Sequence, residues 1–511
     1  MATIKSLQAK EILDSRGDPT IQVDLQLDSG EKIETSVPNG IRQYPSEAKV
    51  LFDQDPEHQE GKGVRKAVNL IDKTIAPQLI GQDPTQQAEI DQLLLQLDNS
   101  PDKAQVGANT LIAVSQAVAK AGAVANNLPL YQYLLDQHQL TDHIAIPVCL
   151  YGLINGGQYG TGNLDIQEFL VIPASHVDYR VSLEIESALR TTLQTIFKDQ
   201  KANYATGELG GFTPSLQKNS DVFEFIIEAA RKTSYILARD FFFGIDAGAE
   251  QLLEKGKYLI KDKPTAFSEK ELLEYYKDLQ TQYSLTYFED PFAAKDIHSW
   301  QTFVTDLGKT TRIASDIMTA TNPRLIEQAI QNQSSNTLVV KPSQIGTLTE
   351  TLEAVRIAKT AGWSIVVSQR TGETNDDFLA DFAVGIGAEF VKFGPTNRGE
   401  AVAKYNRLAD IYLALEKNIK EGAIMQPNQP TGDNQVSPTV NEPATGISTE
   451  PTNEVPAKSA TGSVDKPAVQ PEQSTDSASL PEPTSVPTPT APGLDQASTP
   501  NIPKITRSKL T

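Results

Sequence analysis

Thr337-Leu338-Val339-Val340-Lys341, Ser364-Ile365-Val366-Val367-Ser368-Gln369-Arg370 and Glu389-Phe390-Val391-Lys392 are three short apolar runs that each finish on a charged or polar group. The same rhythm appears upstream. Phe241-Phe242-Phe243-Gly244-Ile245 finishes at Asp246, Leu285-Thr286-Tyr287-Phe288 at Glu289, and Arg312-Ile313-Ala314-Ser315 at Asp316. Segments with helical apolar spacing, such as Leu348 to Ala361, lie between the runs. From Glu289 onward the run ends are spaced like successive βα units. The pattern predicts an α/β fold built on a (β/α)₈ barrel, whose reactive groups sit at the C-terminal ends of its strands.

Outward from this core, the chain divides into three parts. Residues 140–422 carry the barrel rhythm. Residues 1–135 read differently: Ile21 to Leu27 alternates at period two, Asp28-Ser29-Gly30 offers a turn, and a second strand follows through Thr35-Ser36-Val37. Val64 to Leu79, Ala88 to Leu97 and Ala108 to Asn126 have helical spacing, so a small N-terminal α+β domain is expected. Residues 423–511 are rich in Pro, Thr, Ser and Glu, and from Met425 onward contain no aromatic residue. Such a segment buries too little apolar surface to offset the entropy of ordering, and a disordered tail is expected.

Composition narrows the function. A formal net charge of −20 over 511 residues argues against nucleic acid or an anionic membrane as partner. One cysteine, Cys149, excludes an intrachain disulfide, and its apolar neighbours Pro147, Val148 and Leu150 mark it as a core residue. The opening residues, Met1 to Asp14, do not resemble a signal peptide, and no stretch is apolar enough to span a membrane. A cytoplasmic location is expected.

Asp246, Glu289 and Asp316 converge at the mouth of such a barrel. Three carboxylates without His or Cys make a hard oxygen site suited to Mg²⁺. Lys341 and Lys392 face them. A lysine beside a divalent cation loses proton affinity and acts as a base, and the cation stabilises the ene-diolate formed by removing a proton α to a carboxylate. Charged residues that merely end strands at a solvated rim are the simpler alternative. Acid, acid, acid, lysine, lysine at consecutive strand ends favours the metal site.

The chain resembles the enolase family across nearly all of residues 1–420. The resemblance rests on Glu11-Ile12-Leu13-Asp14-Ser15-Arg16-Gly17, Ile154-Asn155-Gly156-Gly157, Asp165-Ile166-Gln167-Glu168-Phe169, Gln344-Ile345-Gly346-Thr347-Leu348-Thr349-Glu350 and Ala403-Lys404-Tyr405-Asn406. It implies a Mg²⁺-dependent lyase that dehydrates 2-phosphoglycerate to phosphoenolpyruvate in glycolysis, and a homodimer. It makes Asp246, Glu289 and Asp316 the Mg²⁺ ligands, Lys341 the general base, and Lys392 the holder of the substrate carboxylate. Arg370 and Thr371 correspond to the phosphate site, and Gln167 and Glu168 to residues near the leaving hydroxyl.

The departures from that family fall on loops. Where it carries a mobile Ser-Gly-Ala-Ser-Thr-Gly lid, whose serine binds a second Mg²⁺, this chain has Asn39-Gly40-Ile41-Arg42-Gln43-Tyr44. Gly156-Gly157-Gln158-Tyr159-Gly160 lacks a lid histidine, and Gln369 stands in place of another. In Gly207-Glu208-Leu209-Gly210-Gly211, Leu209 replaces the general acid; Glu208 is not expected to replace it, because backbone neighbours point in different directions. His58, His138, His143, His176 and His298 match no site position. A positioned acid or base contributes about 10²–10⁴-fold in rate, so these losses reduce dehydration. Two function classes follow: an enolase-like lyase of reduced or altered activity, or an inactive pseudoenolase that binds a metabolite or a protein.

Overall fold

The computed structural model describes residues 2–420 apart from Asn99, His143 and Asn163, with only the backbone described at 419 and 420. The expected tail, residues 423–511, lies outside the described residues, as does His143.

An antiparallel sheet of Ile4–Leu13, Pro19–Leu27 and Lys32–Ser36 opens the chain, paired in sequence order. The alternation from Ile21 to Leu27 buries Ile21, Val23, Leu25 and Leu27. The first strand was not legible as one. Its buried residues Ile4 and Leu7 are three apart because the register shifts between Ile4 and Ser6, which breaks the period of two. The expected helix from Val64 to Leu79 forms as Arg65–Leu70, a wider π turn at Ile71–Ile75, and Ala76–Leu79. Pro77 has no N–H to donate to Lys73, and the wider turn lies just before it. Gln87–Gln96 and the buried Ala108–Ala125 complete a core with Ile71, Ile75, Ile90, Leu94 and Leu111.

The barrel sheet contains nine strand segments, with Val148–Cys149 at one end of the pairing order and Tyr151–Asn155 at the other. These two segments are consecutive in the chain. Between them, the Leu150 N–H donates to the Val391 carbonyl at 2.8 Å, so the sheet closes on itself with eight staves. The barrel departs from uniform βα alternation at one stave. Glu168–Pro173 runs antiparallel to both neighbours and follows Tyr151–Asn155 without a crossover helix, as antiparallel strands permit. Two helices, Tyr179–Asp199 and Asn219–Arg231, then precede the parallel strands Phe241–Asp246, Leu285–Glu289, Arg312–Ser315, Thr337–Val340, Ser364–Ser368 and Phe390–Lys392.

Alternation along these strands sets the site. Leu170, Ile172, Tyr287, Ala314, Val339 and Val366 pack together inside the barrel, with Phe242 and Phe390 beside them. One period of two further on lie Glu168, Glu289, Asp316, Lys341, Ser368 and Lys392, and Asp246 is two periods beyond Phe242. The apolar interior therefore aims this ring of polar residues into the mouth. Residues on the opposite strand face, such as Phe243, Ile245, Phe288, Leu338 and Val340, pack outward against the helices in a separate core. Cys149 belongs to that core, where burial pushes its thiol up to about 12.

Candidate active site

Three adjacent strands place acids at one level. Glu168 is opposite Asp246 in the antiparallel pair, and Asp246 is opposite Glu289 in the parallel pair. Asp316 and Lys341 each follow the last residue of their strands, and Lys392 closes its own. Gly152 makes room for Glu168, since a Cβ there would lie 2.4 Å from Glu168 Oε1. Gly248, at φ +54, does the same for Gln167, whose Oε1 would be 2.0 Å away.

Lys392 is 4% exposed. Its Nζ donates to Asp246 Oδ2 and Glu289 Oε1, each at 2.8 Å, and pairs with Glu168 Oε2 at 3.1 Å. Lys341 Nζ donates to Asp316 Oδ2, while Asp316 Oδ1 accepts from Gln344 Nε2 at 2.8 Å. Arg370 Nη1 donates to Glu47 Oε2 at 2.6 Å and Nη2 to the Arg42 carbonyl at 2.7 Å. Gln167, Glu168, Asp246, Asp316, Lys341, Arg370, Thr371 and Lys392 line a single cavity, and Glu289 lies behind Lys392. The structure thus brings together every site position expected from the sequence.

The electrostatics follow from burial. Glu289 is pushed up to about 7 by burial and then by the neighbouring Asp246, against the pull of Lys392 and Lys341. Burial also raises Asp246, despite Lys392. Asp290 is raised well above the carboxylate range by burial and by Asp316 and Glu289. Burial opposes charge on Asp316, but Lys341 and the Gln344 amide outweigh it and hold this carboxyl low. Burial likewise opposes charge on both lysines. Asp316 and Glu289 overcome it at Lys341; Asp246, Glu289 and Glu168 overcome it at Lys392, so both proton affinities rise.

These observations test the fit of a divalent cation. Glu168, Asp246, Glu289 and Asp316 are four buried carboxyls paired with two ammonium groups, and Asp290 is a fifth buried carboxyl beside Asp316. The ammonium groups occupy positions among carboxylate oxygens where positive charge is wanted. An all-oxygen donor set of this kind fits a hard divalent ion.

Sequence reasoning missed four contributors. Asp290 accepts from the backbone N–H groups of Asp316 and Ile317, at 3.0 and 3.1 Å, and fixes the Asp316 turn. Tyr287 donates its hydroxyl to Glu289 Oε2 at 2.7 Å. Gln344 orients Asp316, and Glu47 holds Arg370. Asp290 and Tyr287 sit beside or two residues before Glu289, which was the available signal; nothing in the local pattern singled out Glu47. The four described histidines, His58, His138, His176 and His298, do not line the cavity. His58 pairs with Glu11 at 3.1 Å, beside carboxylates that cap the backbone at Val64, Arg65 and Lys66.

The substituted loops also meet here. The segment after Lys32–Ser36 is tied over the mouth: Ser46 Oγ donates to the Ile317 carbonyl at 2.8 Å, and the Ala48 N–H to the Gln344 carbonyl at 2.9 Å. Arg42, Tyr44, Tyr159, Leu209 and Gln369 all line the cavity. The Tyr44 hydroxyl accepts from Gln251 at 2.9 Å. Tyr159 is raised above the usual phenol range by burial and by Asp246 and Glu168, so it stays neutral. Glu208 turns away from the cavity to Arg42 and Arg16, at 2.7 and 3.1 Å.

Residues 4–134 match the family described as "Enolase, N-terminal domain", and residues 143–429 match "Enolase, C-terminal TIM barrel domain". The chain is 39% identical over 428 residues to an enolase of Ehrlichia ruminantium (strain Welgevonden), covering 83% of this chain and 99% of that protein. It is 38% identical over 422 residues to an enolase of Ehrlichia canis (strain Jake), covering 83% of this chain and 98% of that protein.

Proposed function

Because the chain belongs to the enolase family, we propose that its barrel mouth binds a small phosphorylated carboxylate with Mg²⁺ and acts on 2-phosphoglycerate, removing the C2 proton more readily than it expels the C3 hydroxyl. The observation that supports this most directly is the pairing of Lys341 and Lys392 with a buried excess of carboxylates. Asp246, Glu289 and Asp316 would hold the cation. When bound, it supplies charge that acidifies the C2 proton and competes with Lys341 for Asp316.

Lys341 is held as an ammonium by Asp316 and Glu289, so it would first release a proton to solvent when a bound cation takes over Asp316. Its neutral Nζ would then take the C2 proton, and the electron pair would move onto the substrate carboxylate, which Lys392 stabilises. Arg370 and Thr371 hold the phosphate. Gln167 and Glu168 lie toward the leaving hydroxyl. That hydroxyl needs a proton to depart, and the aliphatic Leu209 side chain in the cavity wall has none to give. We take residues 1–135 as the N-terminal α+β domain, 140–422 as the barrel that carries the chemistry, and 423–511 as a segment the chemistry does not need. We also take the protein as a cytoplasmic homodimer. No helix among the described residues is long and apolar enough to cross a membrane.

Proton exchange of 2-phosphoglycerate in D₂O, followed by NMR beside phosphoenolpyruvate absorbance, tests the split. Exchange faster than product formation is expected, with both lost in Lys341→Ala. Leu209→Glu should raise product formation in part. Product formation by the unmodified protein as fast as exchange would refute the split; binding without exchange or product would refute the lyase.

A further inference from the structure

Arg42 carries an unused charged donor. Its Nη2 is paired with Glu208 at 2.7 Å, and its guanidinium carbon lies 5.1 Å from the centre of the Tyr159 ring. Glu208 also pairs with Arg16 at 3.1 Å, and Arg16 is further paired with Asp14 and Asp18 at 3.2 and 3.5 Å. The other terminal nitrogen, Nη1, is buried and has no hydrogen-bond partner. A buried charged donor without an acceptor is costly, and such groups are uncommon unless something else satisfies them. Arg42 lines the same cavity as Arg370, Thr371 and Lys341. Its backbone carbonyl accepts from Arg370 Nη2 at 2.7 Å, which fixes the two arginines relative to each other. A second unpaired group, Gln369 Oε1, lies in the same wall.

We propose that Arg42 is a phosphate-binding residue of this site: its free Nη1 donates to a phosphate oxygen of the ligand alongside Arg370, so that a side chain provides charge for the phosphate without a second divalent cation. The stack on Tyr159 and the ion pair with Glu208 hold the guanidinium plane in place, which suits directional donation to an oxyanion. This inference rests on reading the mouth as a site for a phosphorylated carboxylate.

Calorimetry with inorganic phosphate, in EDTA, on the full chain tests it. The unmodified protein should bind phosphate without added divalent cation. Arg42→Met should weaken that binding about tenfold or more, the usual effect of losing a charge-assisted hydrogen bond. Arg42→Lys should fall between them, because it keeps charge but loses the fork. Mg²⁺ titration of Arg42→Met should match the unmodified protein within twofold, which shows that the barrel mouth is folded. Equal phosphate affinity in Arg42→Met and the unmodified protein overturns the role of Arg42. Phosphate binding that appears only after Mg²⁺ is added overturns the claim that a side chain suffices. If phosphate does not bind even with Mg²⁺, the reading of the mouth itself fails, and Arg42 with it.

Discussion

Replacing Lys392 with Met removes the ammonium group from between Asp246, Glu289 and Glu168, with no gain in volume. At 2.8 Å, two of these contacts are each worth about 6 kcal/mol gross at an effective dielectric of about 20. Desolvation of Lys392 offsets much of that gain in the intact protein, so the gross figure is not the cost of the substitution. The cost comes from the carboxylates left behind. Removing one partner of a buried pair costs about 3–5 kcal/mol. Proton uptake limits it, because a stranded carboxylate can neutralise. Glu289 already sits at about 7, so its neutralisation near pH 7 costs little, and the penalty falls on Asp246 and Glu168. The sign with pH follows. Burial already holds Asp246 and Glu289 above their unfolded pKa values, and loss of the Lys392 charge moves both in the same direction. Their contribution is intact below the unfolded pKa and is lost as pH rises through the folded one. The deficit in thermal midpoint should therefore be small near pH 5 and grow toward pH 8.5. It should shrink when millimolar Mg²⁺ replaces EDTA, since a cation among the same oxygens restores positive charge. Scanning calorimetry at three pH values, with and without Mg²⁺, measures all of this. A deficit that is independent of pH and unaltered by Mg²⁺ would refute the charge-excess account.

Other tests follow from the same geometry. Glu289, at about 7, binds a proton that Mg²⁺ must displace. Mg²⁺ affinity should fall as pH drops below about 7, by up to about tenfold per unit, and calorimetry should show more proton release at pH 6 than at pH 8. Trp300 is fully buried against Phe292, and its Nε1 donates to the Ala293 carbonyl at 3.1 Å. Trp300→Ala should destabilise the protein by about 3–5 kcal/mol, read as a lower denaturation midpoint. A chain ending at residue 422 should keep the thermal midpoint and the Mg²⁺ affinity of the full chain; a drop of many degrees would show that the remaining residues pack on the folded body. Light scattering at micromolar concentration should give the mass of a dimer.

The charged run ends were legible because a barrel strand repeats every two residues. Val339 and Lys341, Tyr287 and Glu289, or Phe390 and Lys392 must share a face, so a ring of site residues can be counted off the sequence. The antiparallel stave Glu168–Pro173 was not legible, since Glu168-Phe169-Leu170-Val171-Ile172-Pro173 is buried along its whole length and apolar beyond its first residue. A strand buried on both faces shows no alternation and no direction. Glu47 was equally silent. It lies between strands, and only the folding of its loop over the mouth brings it to Arg370. Period and residue type can locate what a strand carries, but not what a loop brings across the barrel.

The loop substitutions become intelligible once their contacts are known. Arg42, Tyr159 and Glu208 come from three separate loops, yet the guanidinium touches both of the others. Leu209 follows Glu208, and its carbonyl would lie 2.8 Å from a Cβ added at Gly394, so its backbone position is tightly confined. Arg370 is held by the Arg42 carbonyl as well as by Glu47. These residues therefore act as one packed patch and not as independent losses, and groups in contact do not contribute additively. This is why Leu209→Glu alone should recover only part of the dehydration: a new carboxylate at that position enters a wall where the Arg42 donor is free to pair with it. The same residue that would replace a cation for the phosphate would then compete for the restored acid.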